Sequence, residues 1–196
     1  MMTATDAPLI ADAAALEREN AELRAELARL RARLAEVEGL ADRDALTPLF
    51  NRRAVMRELA RSRDFAERYG GGASLAYFDV DGLKAINDRF GHAAGDAALL
   101  AVAEQLRRHI RGSDLAGRMG GDEFAVILAQ SNGFQAEAKA EALAAAIAGA
   151  AVEGLPAGVR LHVSWGVAEI RPGVAPEAVV AEADAAMYAG RRQRRR

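Results

Sequence analysis

The chain has 196 residues, enough for one domain of about 150 residues plus an extension. A net charge of −2 offers no strong field to nucleic acid or to a membrane surface, and the absence of cysteine excludes disulfides and thiolate metal sites. No apolar run reaches the roughly 18 residues of a membrane helix, and Met1-Met2-Thr3-Ala4-Thr5-Asp6 lacks the basic-then-apolar order of a signal peptide, so the cytoplasm is the expected location.

Residues 1–11 are expected to be a disordered N-terminus, and residues 12–41 a separate module. With position a at Ala13, Asn20, Leu27 and Leu34, position d falls at Leu16, Leu23, Leu30 and Val37. Nearly four unbroken heptads argue for a coiled coil. In a parallel pair the facing g and e residues are Glu19–Arg24, Glu26–Arg31 and Arg33–Glu38, opposite in sign each time. A helix packed on its own domain has no need of such complementarity. Asn20 at an a position favours two strands in one register. At about 1.5 Å per residue the rod would be about 45 Å long.

Residues 42–196 read as one globular domain. A turn at Asp44-Ala45-Leu46-Thr47-Pro48 leads into a helix over about 51–68. An apolar strand over 74–80 ends in Asp79-Val80-Asp81-Gly82, and helices follow near 83–90 and 95–110. A hairpin over about 114–129 turns at Gly120-Gly121, because two glycines take positive φ without steric cost. A helix over 134–150, a strand over 159–169 and a helix over 176–192 complete the chain. This mixture predicts an α/β or α+β sheet flanked by helices.

Two acidic clusters stand out. Asp122 and Glu123 follow the glycines at once, on the rim of a sheet. Adjacent acids on rigid backbone repel unless a cation lies between them or one is protonated, so the turn is a candidate metal or acid–base site. Asp79 falls at the carboxyl end of a strand, where α/β sheets bind ligands. A calcium loop starting at Asp79 is excluded, because Leu83 and Phe90 stand where oxygen ligands are needed.

Asp79 to Asp96 (DVDGLKAINDRFGHAAGD), together with Gly120 to Phe124 (GGDEF), resembles the GGDEF family of diguanylate cyclases, and the likeness runs from Asp44-Ala45-Leu46-Thr47 to the final arginines. The resemblance implies a central sheet ringed by helices, similar to nucleotide cyclases and polymerase palms. It implies condensation of two GTP into cyclic di-GMP and two pyrophosphates, with Mg²⁺ or Mn²⁺ as cofactor. Asp79, the Val80 carbonyl and Asp122 are then the expected metal ligands. Glu123 would assist at a second metal or in deprotonation, and either Asp122 or Glu123 would be the base.

Asn87 and Asp96 match the family's guanine-reading pair, although their spacing alone fits a helix residue and an N-cap equally well. His92 would lie near the base or order the Gly91–Gly95 loop. Lys84 and the backbone after Gly82 would meet phosphates. The family's terminal Tyr-x-Ala-Lys-x-x-Gly-Arg reads Tyr188-Ala189-Gly190-Arg191-Arg192-Gln193-Arg194-Arg195 here, so Arg191 replaces the lysine, Arg195 matches the arginine and Arg194 replaces a glycine. Pro48 likewise replaces a glycine of the opening turn.

Arg111-Gly112-Ser113-Asp114 matches the family's inhibitory product site, with Arg111 and Asp114 as its expected contacts. Residues 134–150 supply only Lys139 where family members often add an arginine, so weaker product inhibition is expected. The expected assembly is a homodimer through residues 12–41, because two half-sites must face each other. A catalytically silent nucleotide-binding module and a coiled-coil adaptor are the competing readings, and intact Asp79, Asp122 and Glu123 favour the enzyme.

Overall fold

The computed structural model describes residues 19–27, 29–30, 42–156 and 159–194, with side chains as far as Arg191. The chain divides into two compact units, Met1–Ala41 and Asp42–Arg196. In the first, residues 19–27 and 29–30 are helical, and Leu23, Leu27 and Leu30 are exposed. The rest of the expected heptad module, and residues 1–11, lie outside the described residues.

The second unit is a five-stranded mixed sheet flanked by helices. Its elements are β1 (Phe50–Asn51), α1 (Arg52–Tyr69), β2 (Ala73–Val80), α2 (Leu83–Phe90), α3 (His92–His109), β3 (Leu115–Gly120), β4 (Glu123–Ala129), α4 (Gly133–Gly149), β5 (Val163–Ile170) and α5 (Pro176–Arg194). The sheet order is β1-β3-β4-β2-β5; β1 runs parallel to β3 and all other pairs are antiparallel.

β2 is an inner strand, paired with β4 and β5, and its alternation divides the core. Ala76, Phe78 and Val80 join Phe124, Leu106, Leu143 and Ile147 on one face, under α3 and α4. Leu75 and Tyr77 join Val55, Leu59, Ile127, Val179 and Met187 on the other, under α1 and α5. A strand buried on both faces reads as a continuous apolar run, which is what residues 74–78 are. Helix starts follow local chemistry. The Asn51 side chain accepts from the Ala54 N–H at the head of α1, and Asn132 with Gln135 forms a capping box at the head of α4.

Three boundaries differ from the sequence reading. β1 is new, a two-residue strand too short to show a period. α3 starts at His92 rather than near 95, so Gly91–Gly95 is no loop and Asp96 lies within the helix instead of capping it. The break between α2 and α3 is Gly91 alone, at φ 86°. β5 starts at Val163 rather than 159, because its partner β2 ends at Val80, opposite Val163, and offers nothing further to pair with.

Glycine at 166 permits one close approach. A Cβ there would lie 2.2 Å from the Ala183 carbonyl oxygen and 2.2 Å from the Met187 nitrogen, so α5 rests directly on β5. Among the described residues no helix is long and apolar enough to cross a membrane.

Candidate functional site

The antiparallel pairing of β2 with β4 brings the two acidic clusters together. Asp79 lies directly across from Glu123, and the Val80 N–H donates to the Asp122 carbonyl at 3.0 Å. The turn between β3 and β4 depends on its glycines, with Gly120 at φ 151° and Gly121 at φ 48°. Arg118 fixes this turn from below. Its guanidinium donates to the Gly121 carbonyl at 2.6 and 3.0 Å and reaches Asp44 at 3.3 Å. Asp44 in turn accepts from the Thr47 N–H and hydroxyl, each at 2.8 Å. The domain's opening turn and the acidic hairpin are therefore one connected structure. The same turn accommodates Pro48, whose carbonyl accepts from Arg43 at 3.0 Å.

The electrostatics of the rim are strained. Burial and then the charge of Asp122 hold the Asp79 carboxyl above its usual range, with Arg191 pulling the other way. Behind it, burial and then the Glu123 charge push the Tyr77 hydroxyl well above its ordinary value.

Arg191, at the end of α5, spans two carboxylates. One nitrogen lies 2.9 Å from Asp79 Oδ1 and the other 2.8 Å from Asp81 Oδ1. Asp81 also accepts from the buried Ser164 hydroxyl at 2.9 Å. Sequence reasoning missed Asp81 and Ser164 as site residues. The signal for Asp81 was its i+2 spacing from Asp79, which keeps both on one side of an extended chain; Ser164 carried no such signal.

The donor set suits a hard divalent cation. It consists of oxygen only, and the repulsion between Asp79 and Asp122 is what such a cation relieves. Among the described residues no three His, Asp or Glu side chains already converge as a metal cage; at Asp79 and Asp81 the neighbouring cation is Arg191.

The expected base-reading residues meet on α2 and α3. Asn87 is half-buried and lies against Gly95, where a Cβ would come within 1.9 Å of Asn87 Oδ1. Glycine at 95 thus admits the amide beside Asp96, which is exposed. His92 is exposed one turn before Asp96, and Lys84 is exposed on α2 one turn before Asn87. α2 begins at Gly82 with no side-chain cap. Arg195 lies outside the described residues.

Arg111 and Asp114 are not part of this rim. They precede β3, whose six residues separate them from the glycine turn by about 20 Å. Asp114 is bound to backbone, accepting from the Arg111 N–H at 3.0 Å and the Ala129 N–H at 3.2 Å. Arg111 is exposed and lines a cavity of about 350 Å³ with Asp114, Ser131, Gln135 and Lys139. Lys139, which also donates to the His109 carbonyl, is thus the α4 cation at this cavity.

Comparison with known proteins shows the family and the fold. The family model "Diguanylate cyclase, GGDEF domain" matches residues 41–196. The probable diguanylate cyclase DgcC of Escherichia coli K12 is 39% identical over 135 residues, covering 68% of this chain and 36% of DgcC. Diguanylate cyclase DgcP of Pseudomonas aeruginosa PAO1 is 37% identical over 149 residues, covering 76% of this chain and 22% of DgcP. The chain therefore spans about a third or less of these relatives' lengths. Among solved structures, the coiled coil and GGDEF domain of DgcB from Caulobacter crescentus in complex with c-di-GMP matches with a TM-score of 0.75 at 34% identity, covering 91% of this chain and 95% of that one. Diguanylate cyclase SiaD of P. aeruginosa, in complex with its activator SiaC, matches with a TM-score of 0.72 at 30% identity, covering 96% and 76%.

Proposed function

The chain belongs to the GGDEF domain family, and on that premise we propose that it is a diguanylate cyclase, condensing two GTP into cyclic di-GMP with release of two pyrophosphates. The observation that carries this reading is the meeting of Asp79, Asp122 and Glu123 on adjacent strand ends beside Arg191.

Asp79, Asp122 and the Val80 carbonyl would hold Mg²⁺ or Mn²⁺, with Glu123 at a second such ion or acting as base. When bound, the cation neutralises phosphate charge and makes the attacking 3′-hydroxyl more acidic. Asp122 or Glu123 takes the hydroxyl proton as the 3′-oxygen bonds to the α-phosphorus and pyrophosphate leaves. Asp96 accepts from the guanine N1–H and N2–H₂, whereas adenine presents an acceptor at N1 and is repelled. Asn87 meets the remaining purine edge, and His92 borders the base. Lys84, Arg191 and Arg195 meet the phosphates.

One protomer binds one GTP, so two must face each other. Residues 12–41 are proposed to supply that proximity as a parallel coiled coil, and residues 42–196 to be the catalytic domain. The exposure of Leu23, Leu27 and Leu30 on the helical stretch supports this, because an apolar stripe left bare on one chain is suited to a second copy. Cyclic di-GMP is proposed to inhibit at Arg111 and Asp114, as an arrangement that keeps half-sites apart. The c-di-GMP complex of DgcB supports product binding. The proposed place of action is the cytoplasm.

The test is chromatographic analysis of the products after incubation with GTP and Mg²⁺, with ATP as control. Cyclic di-GMP from GTP and no product from ATP is the expected result. No turnover at any protein concentration would leave a nucleotide-binding module instead.

A further inference from the structure

Arg191 does something at the rim that its counterpart lysine is not suited to do. Its planar fork places one nitrogen on Asp79 Oδ1 and the other on Asp81 Oδ1, at 2.9 and 2.8 Å. An ammonium is a single point of charge with freely rotating donors, and it lacks two fixed nitrogens to give one to each acid. The clamp is partly sheltered, with side-chain exposures of 31% for Arg191, 19% for Asp79 and 30% for Asp81, so it is less screened than a surface pair. Asp81 is further held by Ser164, which fixes one jaw of the clamp and leaves Asp79 as the jaw that can change partner.

A divalent cation held by Asp79 would bind through the oxygens of this same carboxylate. A guanidinium nitrogen already lies 2.9 Å from Oδ1 of that same group. Two cations on one small carboxylate repel, so each weakens the other's hold. The displaced guanidinium has a natural second partner, because its fork also matches phosphate oxygens.

We infer that Arg191 is an internal counter-ion that competes with the divalent cation for Asp79 and transfers to the nucleotide's phosphates when metal and nucleotide bind. The inference rests on the cyclase reading of the site. Its consequence is coupling: metal alone binds weakly, nucleotide binding removes the competitor, and the two ligands enter together. Asp81 becomes a positioning residue, which holds Arg191 close enough to exchange without touching the reacting atoms.

The experiment measures binding of Mn²⁺ alone to the full chain, by the loss of the free-ion electron paramagnetic resonance signal. Wild type is compared with Arg191→Ala, with Arg191→Gln, which keeps length without charge, and with the double variant Arg191→Ala, Asp79→Asn. Both single variants are expected to bind Mn²⁺ at least about tenfold more tightly than wild type, because removing one partner of a sheltered pair leaves the other charge uncompensated. With a non-hydrolysable GTP analogue present, the order reverses, and the single variants bind the Mn²⁺–nucleotide complex at least about threefold more weakly. Unchanged or weaker binding of Mn²⁺ alone in both single variants overturns the competition. A gain that persists in the double variant shows that Asp79 is not the contested ligand, and overturns the metal site along with the inference. A gain that vanishes there supports both.

Discussion

The acidic rim and the Arg111–Asp114 turn use the same residue types in opposite ways. At the rim, Asp79 and Asp81 share a side-chain partner, Arg191, which is carried on a distant helix. At the turn, the acid is tied to main chain, with both Asp114 oxygens accepting backbone N–H groups, and the arginine is the exposed member. At the turn the carboxylate is held by backbone and is structural; at the rim Asp79 is held by an arginine that can be handed over. The pairing partner, more than the residue type, tells which member of an Arg–Asp motif is available for ligand.

The largest effect that can break this contrast is at the rim. Asp122→Ala or Glu123→Ala is expected to lower cyclic di-GMP formation at least about a hundredfold, the scale of losing a group that stabilises developing charge. Melting temperature should move little in Asp122→Ala, since that substitution relieves the repulsion on Asp79. Near-normal turnover in both variants would end the assignment.

At the turn the two members should separate. Arg111→Ala is expected to raise the inhibitory concentration of cyclic di-GMP at least about tenfold, equivalent to about 1.4 kcal/mol, with stability unchanged. Asp114→Ala should weaken inhibition and also cost about 1–2 kcal/mol of folding stability, because two backbone N–H groups lose their acceptor. Chemical denaturation beside inhibition curves checks the pair, and equal stability of the two variants would contradict the distinction. Lys139→Ala should have a smaller effect, raising the inhibitory concentration roughly twofold to fivefold, as for one half-exposed charge.

The smallest effect lies behind the rim. Burial raises the Asp44 carboxyl, but its Thr47 and Arg118 contacts outweigh this and hold it below its usual range. A depressed carboxyl contributes stability above its unfolded value and loses it as pH falls through the folded one. Asp44→Asn should therefore melt roughly 2–4 °C lower than wild type near pH 7, and the difference should close below about pH 4. A gap independent of pH would mean that shape, not charge, holds the turn.

Much of the rim was readable because its determinants are local. The apolar run over 74–78 stops at Asp79, and the Gly-Gly pair marks the turn that carries Asp122 and Glu123. The helices expected over about 51–68 and near 83–90 were equally plain in the sequence. What was not readable depended on distant partners. Arg191 meets Asp79 from 112 positions away. The start of α3 was obscured because Gly95 looks like a breaker, whereas it is the space that Asn87 fills. β5 could not be trimmed without knowing where β2 stops. Lys139 could be counted as the sole cation of its helix, but only the fold puts it on the cavity with Arg111. The heptads were the clearest pattern in the sequence, yet most of that module lies outside the described residues.

Gly166 shows how chemistry can be controlled from a position with nothing to contribute chemically. Any side chain there would meet the backbone of α5 at Ala183 and Met187, and backbone cannot step aside as a rotamer can. The helix would have to ride higher on the sheet, and Arg191, one turn beyond Met187, would be carried off with it. In a library of variants, position 166 should behave as a catalytic position does, intolerant of even the smallest addition. Its intolerance would report on the height of a helix, measured in the width of one methyl group.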